Sequence, residues 1–166
     1  MKGIEYVPIG LIHTPFKEAR GTPIQPAGAK GIAGTVEVFE PFRDGLKDLA
    51  GFSHVVLLYH FHRTQGYKLH VVPYMDTVER GLFATRAPRR PNPIGLSVVR
   101  LRSIESGTLH VENADMLDGS PLLDIKPYVP EFDTQTDFRS GWLEEPRKSV
   151  SEQRADNRFA QGQSEG

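Results

Sequence analysis

The stretch LSVVRLRSIESGTLHVENADM, from Leu96 to Met116, decides how this chain folds. Two β-type runs, Leu96 to Ile104 and Thr108 to Met116, flank Ser106-Gly107, where glycine supplies the positive φ that a tight turn needs. The stretch therefore reads as a β-hairpin. The same texture recurs outward from it, in Glu5 to Ile12, Gly34 to Phe39, His54 to Phe61, Leu69 to Val72, Gly81 to Thr85 and Leu122 to Ile125, with turn residues between the runs. That pattern predicts a mainly β protein, a barrel or a sandwich, and speaks against a helical bundle or a βαβ repeat. The helical suggestion before residue 130 is a short turn, Phe42 to Leu49.

With 166 residues the chain has the size of one domain. Hydrophobic residues at 38% and charged residues at 25% describe a globular protein, and no apolar run is long enough for a membrane helix. The first residues, MKGIEYVPIGLIHTPF, carry charge and proline where a signal peptide needs an apolar core. Cysteine is absent, which removes disulfides, thiolate metal sites and cysteine nucleophiles together. The expectation is a cytoplasmic protein. Residues 1–130 are read as the folded domain and 131–145 as a docking segment, because Phe132, Phe138, Trp142 and Leu143 crowd there. Residues 146–166 hold too few apolar groups to offset ordering entropy and are read as a flexible tail.

The formal net charge of -1 exerts no global pull on nucleic acid, so any such role needs a local patch. One exists. The run FATRAPRRPNPIG, Phe83 to Gly95, holds Arg86, Arg89 and Arg90 among three prolines that stiffen the backbone. Guanidinium forks on a stiff loop suit a phosphate, a carboxylate or a stacked base. A solvated crossover is the plain alternative, and residue chemistry alone weighs the two equally.

In GFSHVVLLYHFHR, Gly51 to Arg63, strand alternation places His54, Val56, Leu58, His60 and His62 on one face and Val55, Leu57, Tyr59 and Phe61 on the other. Two imidazoles at such spacing could share a metal and serve a hydrolase, but no third ligand accompanies them, and no metal site is expected. In MLDGSPLLDIKPY, Met116 to Tyr128, Asp118 to Pro121 forms a turn that could line a ligand pocket, and Asp124 and Lys126 share a strand face. The segment GTPIQPAGAKGIAG, Gly21 to Gly34, has neither the spacing of a phosphate loop nor that of a dinucleotide fingerprint.

These segments, in this order, resemble the TsaA-like family of tRNA methyltransferases over about residues 4–130. The carriers are GFSH (Gly51 to His54), FATR (Phe83 to Arg86) with RPNPIG (Arg90 to Gly95), LDG (Leu117 to Gly119) and LDIKPY (Leu123 to Tyr128). The resemblance implies a single-domain, non-Rossmann β-barrel methyltransferase, a homodimer that holds S-adenosylmethionine near its subunit interface. The implied reaction is methylation of the N6 position of threonylcarbamoyladenosine beside the anticodon of tRNA. A barrel that binds S-adenosylmethionine or RNA without catalysis is the alternative.

Carried over residue by residue, the resemblance assigns cofactor contacts to Pro23, Ile24, Gln25, His62, Arg63, Arg86, Leu96, Asp118, Gly119, Ser120 and Pro121. Arg89, Arg90, Asn92 and Lys126 are expected to meet tRNA, and Asp118, Asp124 and His62 to supply the proton acceptor. Within the arginine motif, Ala87 and Arg89 stand where many members of the family carry serine and histidine.

Overall fold

The computed structural model describes residues 3–18, 29–74 and 76–144. Pro23, Ile24, Gln25 and the tail 146–166 lie outside them. Six antiparallel strands close into a barrel in the order β1-β2-β7-β6-β3-β8. Their bounds are β1 Gly10–His13, β2 Ala33–Val38, β3 His54–His60, β6 Ile94–Glu105, β7 Thr108–Glu112 and β8 Ser120–Pro127. A separate two-stranded ribbon pairs β4, His70–Val71, with β5, Arg80–Gly81.

Alternation builds the core. Val55, Leu57 and Tyr59 on β3 are buried, as are Val99 and Leu101 on β6, and they meet Ile12, Val36, Val38, Leu109, Val111 and Leu122 inside the barrel. Each such aliphatic side chain contributes roughly 1.5–3 kcal/mol on burial, far more than any propensity difference, so the apolar set fixes the register. The hairpin expected at Ser106-Gly107 forms between β6 and β7, with Glu105 opposite Thr108. Both turn residues have positive φ, 51° at Ser106 and 85° at Gly107, as a type I′ turn demands. Arg102 is the extra residue of a bulge in β6, and it turns outward to meet Glu112 at 2.6 Å.

Several expected strands are shorter than read. β7 stops at Glu112 because Asn113 takes a left-handed φ of 66° and redirects the chain. The run Gly81 to Thr85 is mostly a 3-10 turn over Leu82–Ala84, closed when the Thr85 amide and hydroxyl both donate to the Leu82 carbonyl. The helical suggestion becomes two 3-10 turns, Glu40–Leu46 and Leu49–Gly51, separated at Asp48 by a φ of 67°. One α-helical turn, α1, follows at Pro130–Asp133.

Outside the barrel, Val71, Leu82 and Ala87 form a small second cluster with Tyr74, which anchors the start of the arginine loop. Ala87 packs into it as one of its buried members. From the C-terminal segment, Trp142 Nε1 donates to the Ala84 carbonyl at 2.8 Å, and Arg80 lies over the indole. Phe132 and Phe138 of the same segment stay exposed.

Candidate functional site

At one end of the barrel, β3 runs out at His60 and the chain turns, so His62 leaves the strand face it would have shared with His60. Its amide donates back to the His60 carbonyl at 2.9 Å. Among the described residues no group of three metal-ligating side chains forms. The His62 ring instead reaches β8, with Nδ1 3.4 Å from the Ser120 hydroxyl, while Arg63 Nε lies 3.3 Å from its Nε2. Arginine can only donate, so Nε2 accepts and the ring proton sits on Nδ1, facing Ser120. The Ser120 hydroxyl in turn donates to the Leu117 carbonyl at 2.7 Å. Burial, then the Arg63 and His60 charges, hold the His62 pKa below 6.5, which leaves the ring neutral at physiological pH.

The Asp118-Gly119 turn lies beside it. Gly119 supplies a φ of 72° and donates its amide to the Ile12 carbonyl at 2.8 Å, which pins the turn to β1. The Asp118 carboxylate accepts from Lys17 Nζ at 2.6 Å and from the Thr14 amide at 3.1 Å. The Lys17 hydrogen bond is the main reason that its pKa falls below the ordinary value. Asp118 also borders an open cleft of about 530 Å³ on the outside of β1, β2 and β7, shared with His13, Lys17, Arg102 and His110 but not with His62, Arg86 or Leu96.

Beneath the barrel end runs a buried polar chain that the sequence reading did not single out. Tyr59 Oη lies 3.2 Å from Ser97 Oγ, and Ser97 Oγ donates to Asp115 Oδ1 at 2.6 Å. Asp115 is only 9% exposed, and burial pushes its carboxyl up to about 6, against the opposing pull of Ser97 and the Arg86 charge. Burial and then the Asp115 charge push the Tyr59 phenol well above its usual value. In sequence these three residues look like ordinary strand and loop positions. The available signal is Asp115 itself, an acid flanked by Ala114 and Met116, both buried.

The arginine loop meets the β3 exit where the Phe61 amide donates to the Pro93 carbonyl at 2.8 Å, and its cations differ. Arg90 Nη1 donates to the Thr85 carbonyl at 3.0 Å and to the Ala87 carbonyl at 3.3 Å, and its guanidinium lies over Phe83. It braces the loop. Arg86 is exposed, Arg89 is half-buried, and Asn92 is exposed at the tip, where its carbonyl accepts from the Ile94 amide at 2.8 Å.

Leu96 belongs to a different surface. On the barrel's outer face it stands opposite Leu58, which in turn stands opposite Asp124, while Ile94 stands opposite His60. Leu96 is 50% and Ile94 39% exposed, an apolar strip on β6 and β3. Asp124 pairs with Lys126 at 2.8 Å along β8, on one face as the spacing predicts. The fold thus gathers His62, Ser120 and Asp118 at the barrel end and leaves Asp124 and Lys126 on its flank.

Comparison with known proteins adds to this geometry. Residues 11–134 match the family of the tRNA-methyltransferase O N-terminal domain. A probable S-adenosyl-L-methionine-binding protein of Pyrococcus abyssi is 56% identical over 93% of this chain and 84% of its own length. The tRNA (adenine(37)-N6)-methyltransferase of Escherichia coli is 34% identical over 87% of this chain and 66% of its own. The crystal structure of TrmO from Pseudomonas aeruginosa superposes with a TM-score of 0.72 at 42% identity, covering 85% of this chain. The present chain spans 63% of that solved chain.

Proposed function

Since the chain belongs to the tRNA-methyltransferase O N-terminal domain family, we infer that it is an S-adenosyl-L-methionine-dependent methyltransferase acting on the N6 position of adenine 37 of tRNA, beside the anticodon. The acceptor is threonylcarbamoyladenosine, and the enzyme works in the cytoplasm as a homodimer. The observation that supports the reading is the joining of three segments at one barrel end: His62 on the β3 exit reaches Ser120 at the start of β8, and the Phe61 amide on the same exit donates to the Pro93 carbonyl of the arginine loop that leads into β6.

The donor set suits the cofactor. Arg86 offers an exposed cation for its carboxylate, Leu96 offers an apolar edge for its adenine where a second copy closes over the rest of the strip, and the Asp118 to Pro121 turn offers backbone groups. When bound, the cofactor supplies a methyl group on a positively charged sulfur, ready for in-line displacement. The chain's work is to hold the acceptor nitrogen in line and to take its proton. Of the three acids and bases expected to do so, Asp118 is committed to Lys17 and Asp124 to Lys126. His62, neutral near pH 7, is the proton acceptor once its Nε2 exchanges the 3.3 Å hydrogen bond from the exposed Arg63 for the acceptor amine. Arg89, Asn92 and Lys126 meet the tRNA, while Arg90 acts by bracing the loop.

The dimer reading rests on the strip of Val56, Leu58, Ile94 and Leu96, an apolar outer face that a second copy covers. Leu96→Glu then yields a monomer by light scattering. The function itself is tested by incubating the protein with labelled methyl donor and tRNA, then digesting to nucleosides. The expected product is N6-methylated threonylcarbamoyladenosine, absent when the tRNA lacks the threonylcarbamoyl group. Cofactor affinity without any methylated nucleoside identifies a binding module instead.

A further inference from the structure

Phe83 is 73% exposed, on a turn built to hold it there. Leu82 before it is buried in the cluster with Val71 and Ala87, and the Leu82 carbonyl accepts both the amide and the hydroxyl of Thr85. The Ala84 carbonyl after it accepts from Trp142 Nε1 at 2.8 Å. The Arg90 guanidinium lies over the ring, 5.7 Å from its centroid, and is tied in turn to the Thr85 carbonyl at 3.0 Å and the Ala87 carbonyl at 3.3 Å. Burying a phenyl ring stabilises a fold, yet here hydrogen bonds from Thr85, Trp142 and Arg90 fix one in water. With Arg90 over one face, the opposite face is open.

Charge selects what covers that face. From Arg86 to Arg102 the sequence holds five arginines and no acid, so a second copy meeting this patch with its own would set like cations against each other. An unpaired nucleotide has both things the patch lacks: a flat base that continues the stack of guanidinium and phenyl, and phosphates for the cations around it. We propose that Phe83 is a stacking platform for an unpaired base of the anticodon loop, the one flanking the acceptor adenine. The proposal rests on the methyltransferase reading above. It adds a role in substrate presentation: drawing the acceptor adenine out to the cofactor breaks its stacking, and the ring gives the base left behind a new partner.

The test measures affinity for tRNA carrying threonylcarbamoyladenosine over a range of salt, by fluorescence anisotropy, for the wild type, Phe83→Ala, Phe83→Leu, Phe83→Tyr and Arg89→Ala. Calorimetric affinity for S-adenosylmethionine, light scattering and methylation rates accompany it. Phe83→Ala is expected to bind tRNA about ten- to a hundredfold more weakly, as loss of one stacked base does, with an unchanged salt slope because no charge is removed. Phe83→Tyr restores binding, whereas Phe83→Leu, apolar but without a π-face, stays weak. Arg89→Ala gives the other signature, a salt slope smaller by about one. Phe83→Ala should keep the wild type's cofactor affinity and oligomeric state. Wild-type tRNA affinity in Phe83→Ala, or full recovery in Phe83→Leu, overturns the proposal. An equal loss of cofactor affinity also overturns it by placing the ring in the cofactor site, and a change of oligomeric state does so by placing it between subunits. A wild type that methylates tRNA while Phe83→Ala does so equally well leaves the methyltransferase reading standing and removes this inference alone. A wild type that neither binds nor methylates tRNA removes both.

Discussion

Asp115 and Asp118 lie three residues apart, on the inside and the outside of the same barrel end, and their pKa values move in opposite directions. Asp115 faces Ser97 in the dry interior, where burial outweighs its hydrogen bond and raises the carboxyl to about 6. Asp118 faces Lys17 and the Thr14 amide at the rim, where an ammonium and a peptide donor outweigh a small loss of solvent and lower it. Sequence makes them look alike. Their surroundings make one a group that titrates near neutrality and the other a fixed negative charge.

The contrast is broken most visibly by Asp115→Asn. In the unfolded chain the Asp115 carboxyl titrates near its ordinary 3.8 and in the folded state near 6, so between those values the native state binds more protons and stability falls as pH rises. Above about 6 the native protein carries the full cost of an ionised buried carboxylate, up to about 3 kcal/mol for a shift of roughly two units. Asn removes that cost. Asp115→Asn is therefore expected to raise stability by up to about 3 kcal/mol at pH 8 and to lose that advantage below pH 4, measured by urea unfolding across pH. A variant destabilised at pH 8 would show that the carboxylate's hydrogen bond outweighs its desolvation.

How much of this was legible follows from the same two residues. The barrel could be read because inward positions such as Val55, Leu57 and Val99 alternate, and the hairpin because Ser106-Gly107 interrupts two such runs. Strand ends could not, because β7 stops at Asn113 and β5 gives way to a 3-10 turn through single backbone angles and one threonine hydroxyl. Of the site, the Asp118 turn, His62 and the arginine loop were visible as local chemistry. The Tyr59–Ser97–Asp115 chain was not, since its hydrogen bonds span 38 and 18 residues and exist only once β3 and β6 pair. Nor does sequence separate Arg90, spent on the Thr85 and Ala87 carbonyls, from its neighbours.

A smaller effect is expected at Asp118. Its depressed pKa means that its contribution is present above the unfolded value and lost as pH falls through the lower folded one, the reverse of Asp115. Lys17 is well exposed, so solvent screens the pair and Lys17→Ala costs about 0.5–1 kcal/mol at pH 7. That loss should shrink in high salt and vanish near pH 2. Equal losses at 0.05 and 1 M salt would place the pair's value in packing rather than charge.

Arg86→Gln sharpens the contrast further, because the guanidinium holds the Asp115 carboxyl down while it does not figure among the groups acting on Asp118. Carboxyl carbon NMR titration should show Asp115 moving upward by a fraction of a unit, with Asp118 unchanged. Movement of both would mean that the loop acts by reshaping the barrel end, and movement of neither that the Arg86 charge does not reach Asp115.

The smallest expected effect serves as the baseline for the others. Ser106 occupies a left-handed φ of 51° at the far end of the β6–β7 hairpin, a conformation that costs a residue with a side chain roughly 1–2 kcal/mol. Glycine relieves that strain but adds freedom to the unfolded chain, which takes back about 0.5–1 kcal/mol. Ser106→Gly should therefore stabilise by about 0.5 kcal/mol. The change touches no group that titrates between pH 4 and 8, so its increment should be constant over that range. A constant increment there, beside a rising one for Asp115→Asn and a falling one for Lys17→Ala below pH 4, assigns the pH dependence to the two carboxylates and not to the barrel's general loosening.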